Sequence, residues 1–242
     1  MDIFLYSILT LVVATLAFWV YKLIRLHRSI STYRSYWLKR KDQPGDFVYV
    51  ALGDSAAQAV GAKRPEDGYV ASIAQKIERV TGRTVRVINL SVSGAKTHDL
   101  IDTQLPLLKG LKPDLVTLGI GGNDIKAYDS GVFEQNMKEI LKHMPAQTVV
   151  ADAPYFMHGK WMRDSKDMAE ITTRLAHQHG LRVAKLYDEN LGLAKCLREK
   201  GINVPDPSQQ NPKIDLSGLS KSKDEITPLL KECGYGESEY EK

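Results

Sequence analysis

The sequence predicts an α/β fold: a three-layer α/β/α sandwich on a parallel sheet, preceded by one transmembrane helix. Three observations predict it. Five short apolar runs recur along the chain, at 47–52, 85–90, 115–120, 148–151 and 182–187. Helical patterns separate or follow them, over 67–80, 97–109, 131–143, 164–179 and 189–200. Ahead of all of them stands an uncharged stretch, Ile3 to Tyr21.

The runs read as strands because they are short, rich in Val, Ile and Leu, and bounded by Gly, Pro, Asn or Asp. Unbroken apolar runs fit strands buried on both faces. The pattern over 67–80 puts Val70, Ile73, Ala74 and Ile77 on one helix face. Strands alternating with helices give βαβ units, and right-handed crossovers make the sheet doubly wound.

The segment 3–21 has nineteen residues without a charge. As a helix it spans roughly 28 Å, about the hydrocarbon thickness of a bilayer. A buried core helix would show a polar face. A cleaved signal peptide would show a basic start and small residues at its exit, where this chain has Met1-Asp2 and the bulky Phe18, Trp19 and Tyr21. An uncleaved anchor fits better. Its carboxyl flank, 22–41, carries seven Lys or Arg and no acid. By the positive-inside rule the following domain is expected on the cytoplasmic side. The basic stem retains apolar residues and suits a helix lying among anionic headgroups.

Formal net charge is +4, but residues 42–242 hold 26 basic and 28 acidic side chains. The excess therefore belongs to the stem and argues for a membrane rather than nucleic acid. Two cysteines are too few for a disulfide scaffold; Cys196 and Cys233 have neither partners nor spacing for a zinc site, and they leave the redox compartment open. In 203–242 only ten of forty residues are hydrophobic, with no Phe or Trp. The expected organisation is an anchor at 1–24, a basic stem or linker at 25–45, an α/β domain at 46–202, and a polar, loosely structured tail at 203–242.

In open parallel sheets ligands bind outside the carboxyl ends of the strands, and three segments fall there. Gly53-Asp54-Ser55 follows the first strand, where a Ser presents its hydroxyl or simply caps the next helix. Gly94 follows the second, where it permits a tight turn with a free N–H. Gly121-Gly122-Asn123-Asp124 follows the third, where the Asn amide donates without titrating or merely builds a turn.

Gly-Asp-Ser, then Gly, then Gly-x-Asn-Asp, in this order and spacing, resembles the SGNH (GDSL-type) hydrolases over about residues 46–190. The resemblance implies a flavodoxin-like sandwich and ester hydrolysis, of the esterase or lipase kind. It implies Ser55 as nucleophile, with the Ser55 N–H, the Gly94 N–H and the Asn123 side chain as oxyanion donors. It implies no metal and no organic cofactor. The partners it implies are a small-molecule, lipid or carbohydrate ester.

The family's carboxyl-terminal Asp-x-x-His is not found. The six histidines are His27, His98, His143, His158, His177 and His179. Asp206-Pro-Ser-Gln209 stands near the expected place, with Gln where the base would be. His158, after the fourth strand, is the candidate substitute base, with His98 behind it. The composition change near 190–203 points to a carboxyl terminus lost or replaced. Two readings stay open: a membrane-anchored serine esterase, or a catalytically impaired descendant that binds an acyl or glycan ligand. A nucleotide-binding reading fails because Asp54 would repel phosphate in the first loop.

Overall fold

The computed structural model describes residues 2–154, 156 and 160–187, together with 192, 196, 199 and 228. Helix α1 runs Asp2–Arg40, followed by β1 Phe47–Gly53, α2 Tyr69–Thr81, β2 Val85–Asn89, α3 Thr97–Thr103 and α4 Leu105–Leu108. Then come β3 Leu115–Gly119, α5 Ser130–Lys142, β4 Thr148–Ala151, α6 Lys160–Gln178 and β5 Arg182–Ala184. Short 3₁₀ turns stand at Pro65–Asp67 and Asp124–Ala127. The expected helix at 189–200 and the tail, apart from single residues, lie outside the described residues.

The sheet has five strands in the order β2-β1-β3-β4-β5, and every pairing is parallel. The expected parallel α/β architecture is therefore present. Chain direction across the sheet reverses between β1 and β3, the switch point where such sheets open a crevice. Successive side chains of a strand face opposite ways, which assigns the core. Val50 and Leu52 of β1 join Leu100, Val116, Leu118, Met137, Ile140, Met168 and Leu175 in one cluster under α3, α5 and α6. Tyr49 and Ala51 join Trp37, Val70, Ala74, Val85 and Val87 in the other, under α1 and α2.

Three expected elements differ. The helix expected at 97–109 is two pieces, because Pro106 brings no N–H and the Gln104 side chain turns into the sheet. The last strand ends at Ala184 rather than 187. Asp152 explains this: its Oδ1 accepts from the Tyr187 N–H at 3.0 Å, and Leu186 and Tyr187 turn helical. The helix expected from 164 starts at Lys160.

The apolar run 3–21 and the basic stem form one unbroken helix. Among the described residues no helix is long and apolar enough to cross a membrane. The described side chains of α1 are Tyr6 and residues 12–40, a stretch that includes Lys22, Arg25, Arg28, Arg34, Lys39 and Arg40.

The stem also does more than link. Trp37 is buried in the second core cluster and Tyr33 is buried beside it. Tyr33 OH donates to Ala62 O at 2.8 Å, and Trp37 Nε1 donates to Gln58 O at 3.1 Å. Farther along, Arg40 pairs with Glu78 near the end of α2, and Arg86 Nε, at the start of β2, donates to Lys41 O. Helix α1 therefore runs antiparallel to the strands. It meets the post-β1 loop at the carboxyl edge first, and reaches the amino edge last.

Candidate functional site

Ser55 lies two residues beyond Gly53, Gly94 five beyond Asn89, and Asn123 four beyond Gly119. The register pairs Gly53 with Gly119 and Ala51 with Asn89. The three strand ends are thus neighbours, with β1 in the middle.

Asn123 ties them together. Its Nδ2 donates to Asp54 Oδ2 at 3.2 Å and to Ala95 O at 3.0 Å. One amide group therefore touches the residue before Ser55 and the residue after Gly94. Ser55 and Asn123 are half-buried, and Gly94 is exposed. The Ser55 hydroxyl, the Ser55 N–H and the Gly94 N–H have no hydrogen-bond partner among the described residues. Gly94 sits at φ +83, in the left-handed region that glycine enters without strain. Two of the three expected donors are open, and the third is engaged by Asp54 and Ala95.

The loop carrying Ser55 is anchored by residues that pattern reasoning missed. Gln104, fully buried, accepts from Gly53 N at 2.9 Å and donates to Gly53 O at 2.7 Å. Gln58 Nε2 donates to Ser91 O, and its Oε1 accepts from the Ser93 hydroxyl. Asn89 Nδ2 donates to Ala57 O at 2.7 Å. Asp124 accepts from the Thr97 N–H and hydroxyl, and so caps α3. Only the Asn89 and Asp124 contacts had any sequence signal, an Asn or Asp beside a strand end.

At this edge Asp54 is buried and Asp124 half-buried. Desolvation pushes the Asp54 carboxyl up to about 6, the Ala56 N–H opposes the shift, and Asp124 adds to it. Desolvation also raises Asp124, against its hydrogen bonds from Thr97. A carboxyl raised on folding adds stability at low pH that is lost as pH rises through its folded value. Taking Asp54 from 3.8 to about 6 gives about 3 kcal/mol across that window. Asp54→Asn should therefore gain on the wild type by about 2–3 kcal/mol between pH 4 and pH 8. Urea unfolding of both proteins at the two pH values checks this, and a difference independent of pH would refute it.

The histidines sort by edge. His143 follows α5, and His177 and His179 lie at the end of α6, so all three stand at the amino edge. His27 is exposed on α1. His98 opens α3 at the carboxyl edge, where its Nε2 pairs with Asp99 at 3.2 Å. His158 lies outside the described residues. Among the described residues no group of three or more His, Cys, Asp or Glu side chains could hold a metal ion.

A parallel sheet in the order 2-1-3-4-5, with the Ser55, Gly94 and Asn123 loops at its switch point, has the architecture of the SGNH class. The family model of GDSL-like lipases and acylhydrolases matches residues 51–200, and the chain belongs to that family. It is 26% identical over 157 residues to a GDSL-like esterase of Mycobacterium tuberculosis. That match takes in 60% of this chain and 46% of the relative, so the chain spans about half the length of the curated relative it matches. Among solved structures, the lipase/acylhydrolase of Enterococcus faecalis superposes with a TM-score of 0.52 at 18% identity, over 78% of this chain and 96% of that one. The SGNH-hydrolase family esterase AlinE4 superposes at 0.51 with 20% identity, over 80% and 95%. At these identities the superpositions establish a shared fold.

Proposed function

We propose that the chain is a membrane-anchored serine hydrolase that cleaves an acyl ester, with Ser55 as the nucleophile. The observation that carries this reading is the Asn123 amide, which bridges Asp54 and Ala95 and so holds the Ser55 and Gly94 loops together. In this reading Ser55 Oγ attacks the ester carbonyl and its proton passes to a base, for which His158 is the candidate. The oxygen of the tetrahedral intermediate takes the N–H groups of Ser55 and Gly94. The Asn123 amide exchanges its long contact to Asp54 for the same oxygen. The alcohol leaves, and water releases the acyl group from Ser55. Residues 3–21 insert in the bilayer, and the basic flank 22–41 keeps the domain on the cytoplasmic side.

The test is turnover of p-nitrophenyl acetate and butyrate by the full chain. Ser55→Ala is expected to abolish it, and Asn123→Ala to lower it by about 10²–10³-fold. His158→Ala should cost as much as Ser55→Ala if His158 is the base. Turnover indifferent to Ser55→Ala would sink the proposal. Sidedness is checked by a carboxyl-terminal phosphatase fusion, expected to be inactive on the cytoplasmic side.

A further inference from the structure

We infer that the site-bearing edge of the sheet faces the bilayer, and that the substrate is an ester on an extended headgroup of a membrane amphiphile. This rests on the anchored-hydrolase reading above and adds the substrate class to it.

The direction of α1 carries the inference. Tyr33 and Trp37 bind the backbone of the loop that begins at Ser55, at the carboxyl edge. Arg40 and Lys41 meet Glu78 and Arg86 at the amino edge. Followed backwards from Tyr33, the helix leaves the domain past the carboxyl edge, the edge of Ser55, Gly94 and Asn123. That projecting part is one helix with the apolar run. On it Lys22, Arg25 and Arg28 are exposed, placed to meet anionic headgroups. A helix leaving the opposite edge would have turned the site away from the membrane.

The helix also sets a height. Tyr21, at the end of the apolar run, and Tyr33 are twelve residues apart, or about 18 Å along an α-helix. Trp37 is about 6 Å farther. The Ser55 loop is fastened between those two levels by Gln58 and Ala62. An ester at the glycerol level would have to be drawn far out of the interface. An ester standing about 20 Å out on a polar headgroup arrives at the site unextracted.

The experiment uses the full chain in vesicles of neutral and anionic phospholipid. A fluorophore is carried through an azide-bearing side chain at position 126, on the carboxyl edge, or at position 112, on the amino edge. Both native lysines are exposed. Energy transfer to a lipid dye should place position 126 nearer the bilayer by about 16 Å, the length of a five-residue strand. Equal distances, or position 112 nearer, would overturn the orientation while leaving the anchor and the esterase intact. A chain that stays off the vesicles, or that turns over no p-nitrophenyl ester, would fail the anchored-hydrolase reading itself.

Substrate class is read with a fluorogenic acyl ester fixed to a lipid, either directly at the headgroup or through a polar spacer of about 20 Å. The spaced ester should be cleaved about 10²-fold faster in the enzyme's own vesicle than in separate vesicles, through effective concentration. It should also outpace the unspaced ester. Equal rates in both vesicle populations, or preference for the unspaced ester, would overturn the assignment.

Discussion

Gly53→Ala is expected to cost more than about 4 kcal/mol of stability, in the range reached only by backbone collisions and core losses. Gly53 closes β1 at φ +150, a conformation that L side chains rarely adopt. A Cβ there would stand 2.3 Å from the carbonyl oxygen of Gly119, its partner on β3. That atom is backbone in a paired strand, so relief requires β1 and β3 to separate. Separation in turn breaks the Gln104 clamp, which holds both the N–H and the C=O of Gly53 in a fully buried place. Gln104→Leu alone removes both bonds and should cost about 1–3 kcal/mol, since it orphans the Gly53 N–H while the Gly53 carbonyl keeps the Val92 N–H at 3.1 Å. Gly94→Ala is the contrast. At φ +83 an Ala is strained, but a Cβ meets nothing within 4 Å, so the cost should stay near 1–2 kcal/mol. Urea midpoints of the three variants give the comparison. A Gly53→Ala protein as stable as Gly94→Ala would show that the strands yield more easily than their pairing implies.

The contrast also shows what a sequence discloses. The central strands β1 and β3 were legible because most of their residues are buried on both faces, and an apolar run between turn residues has few other meanings. Gly94 was legible as a turn. The positions of Ser55 and Asn123 followed from counting strands, since strand ends are neighbours once the sheet is parallel. Gln104 was not legible. It lies in a helical pattern, and its partner is 51 residues away in sequence, so no local period marks it. Gln58 was silent for the same reason: its partners Ser91 and Ser93 belong to the next loop. Asp152 shortened β5 by capturing the Tyr187 N–H across 35 residues. These are polar side chains satisfying buried backbone groups at long range, and burial is a property of the whole fold.

Trp37 is the largest case of that kind, because the stem reads from composition as a basic linker and the structure buries its end. Trp37→Ala is expected to cost about 3–5 kcal/mol, the usual price of removing a large aromatic ring from a core. Its ring packs in the cluster of Tyr49, Ala51, Val70 and Val87, so the loss opens a cavity between α1 and the sheet. Trp37→Phe separates the ring from its polar edge. It keeps most of the packing and leaves the Gln58 carbonyl without its Nε1–H donor, for about 1–3 kcal/mol. The two variants should therefore differ in midpoint, with Phe between Ala and the wild type. A chain begun at residue 42 loses this ring together with the Tyr33 bond to Ala62 and the Arg40 pair with Glu78. It should be no more stable than Trp37→Ala. The loop that holds Ser55 should loosen with it, since Gln58 and Ala62 are the points at which α1 grips that loop. Hydrogen exchange at 55–62 reads this directly: faster exchange is expected in Trp37→Ala, and exchange unchanged from the wild type would show that the loop stands without the helix.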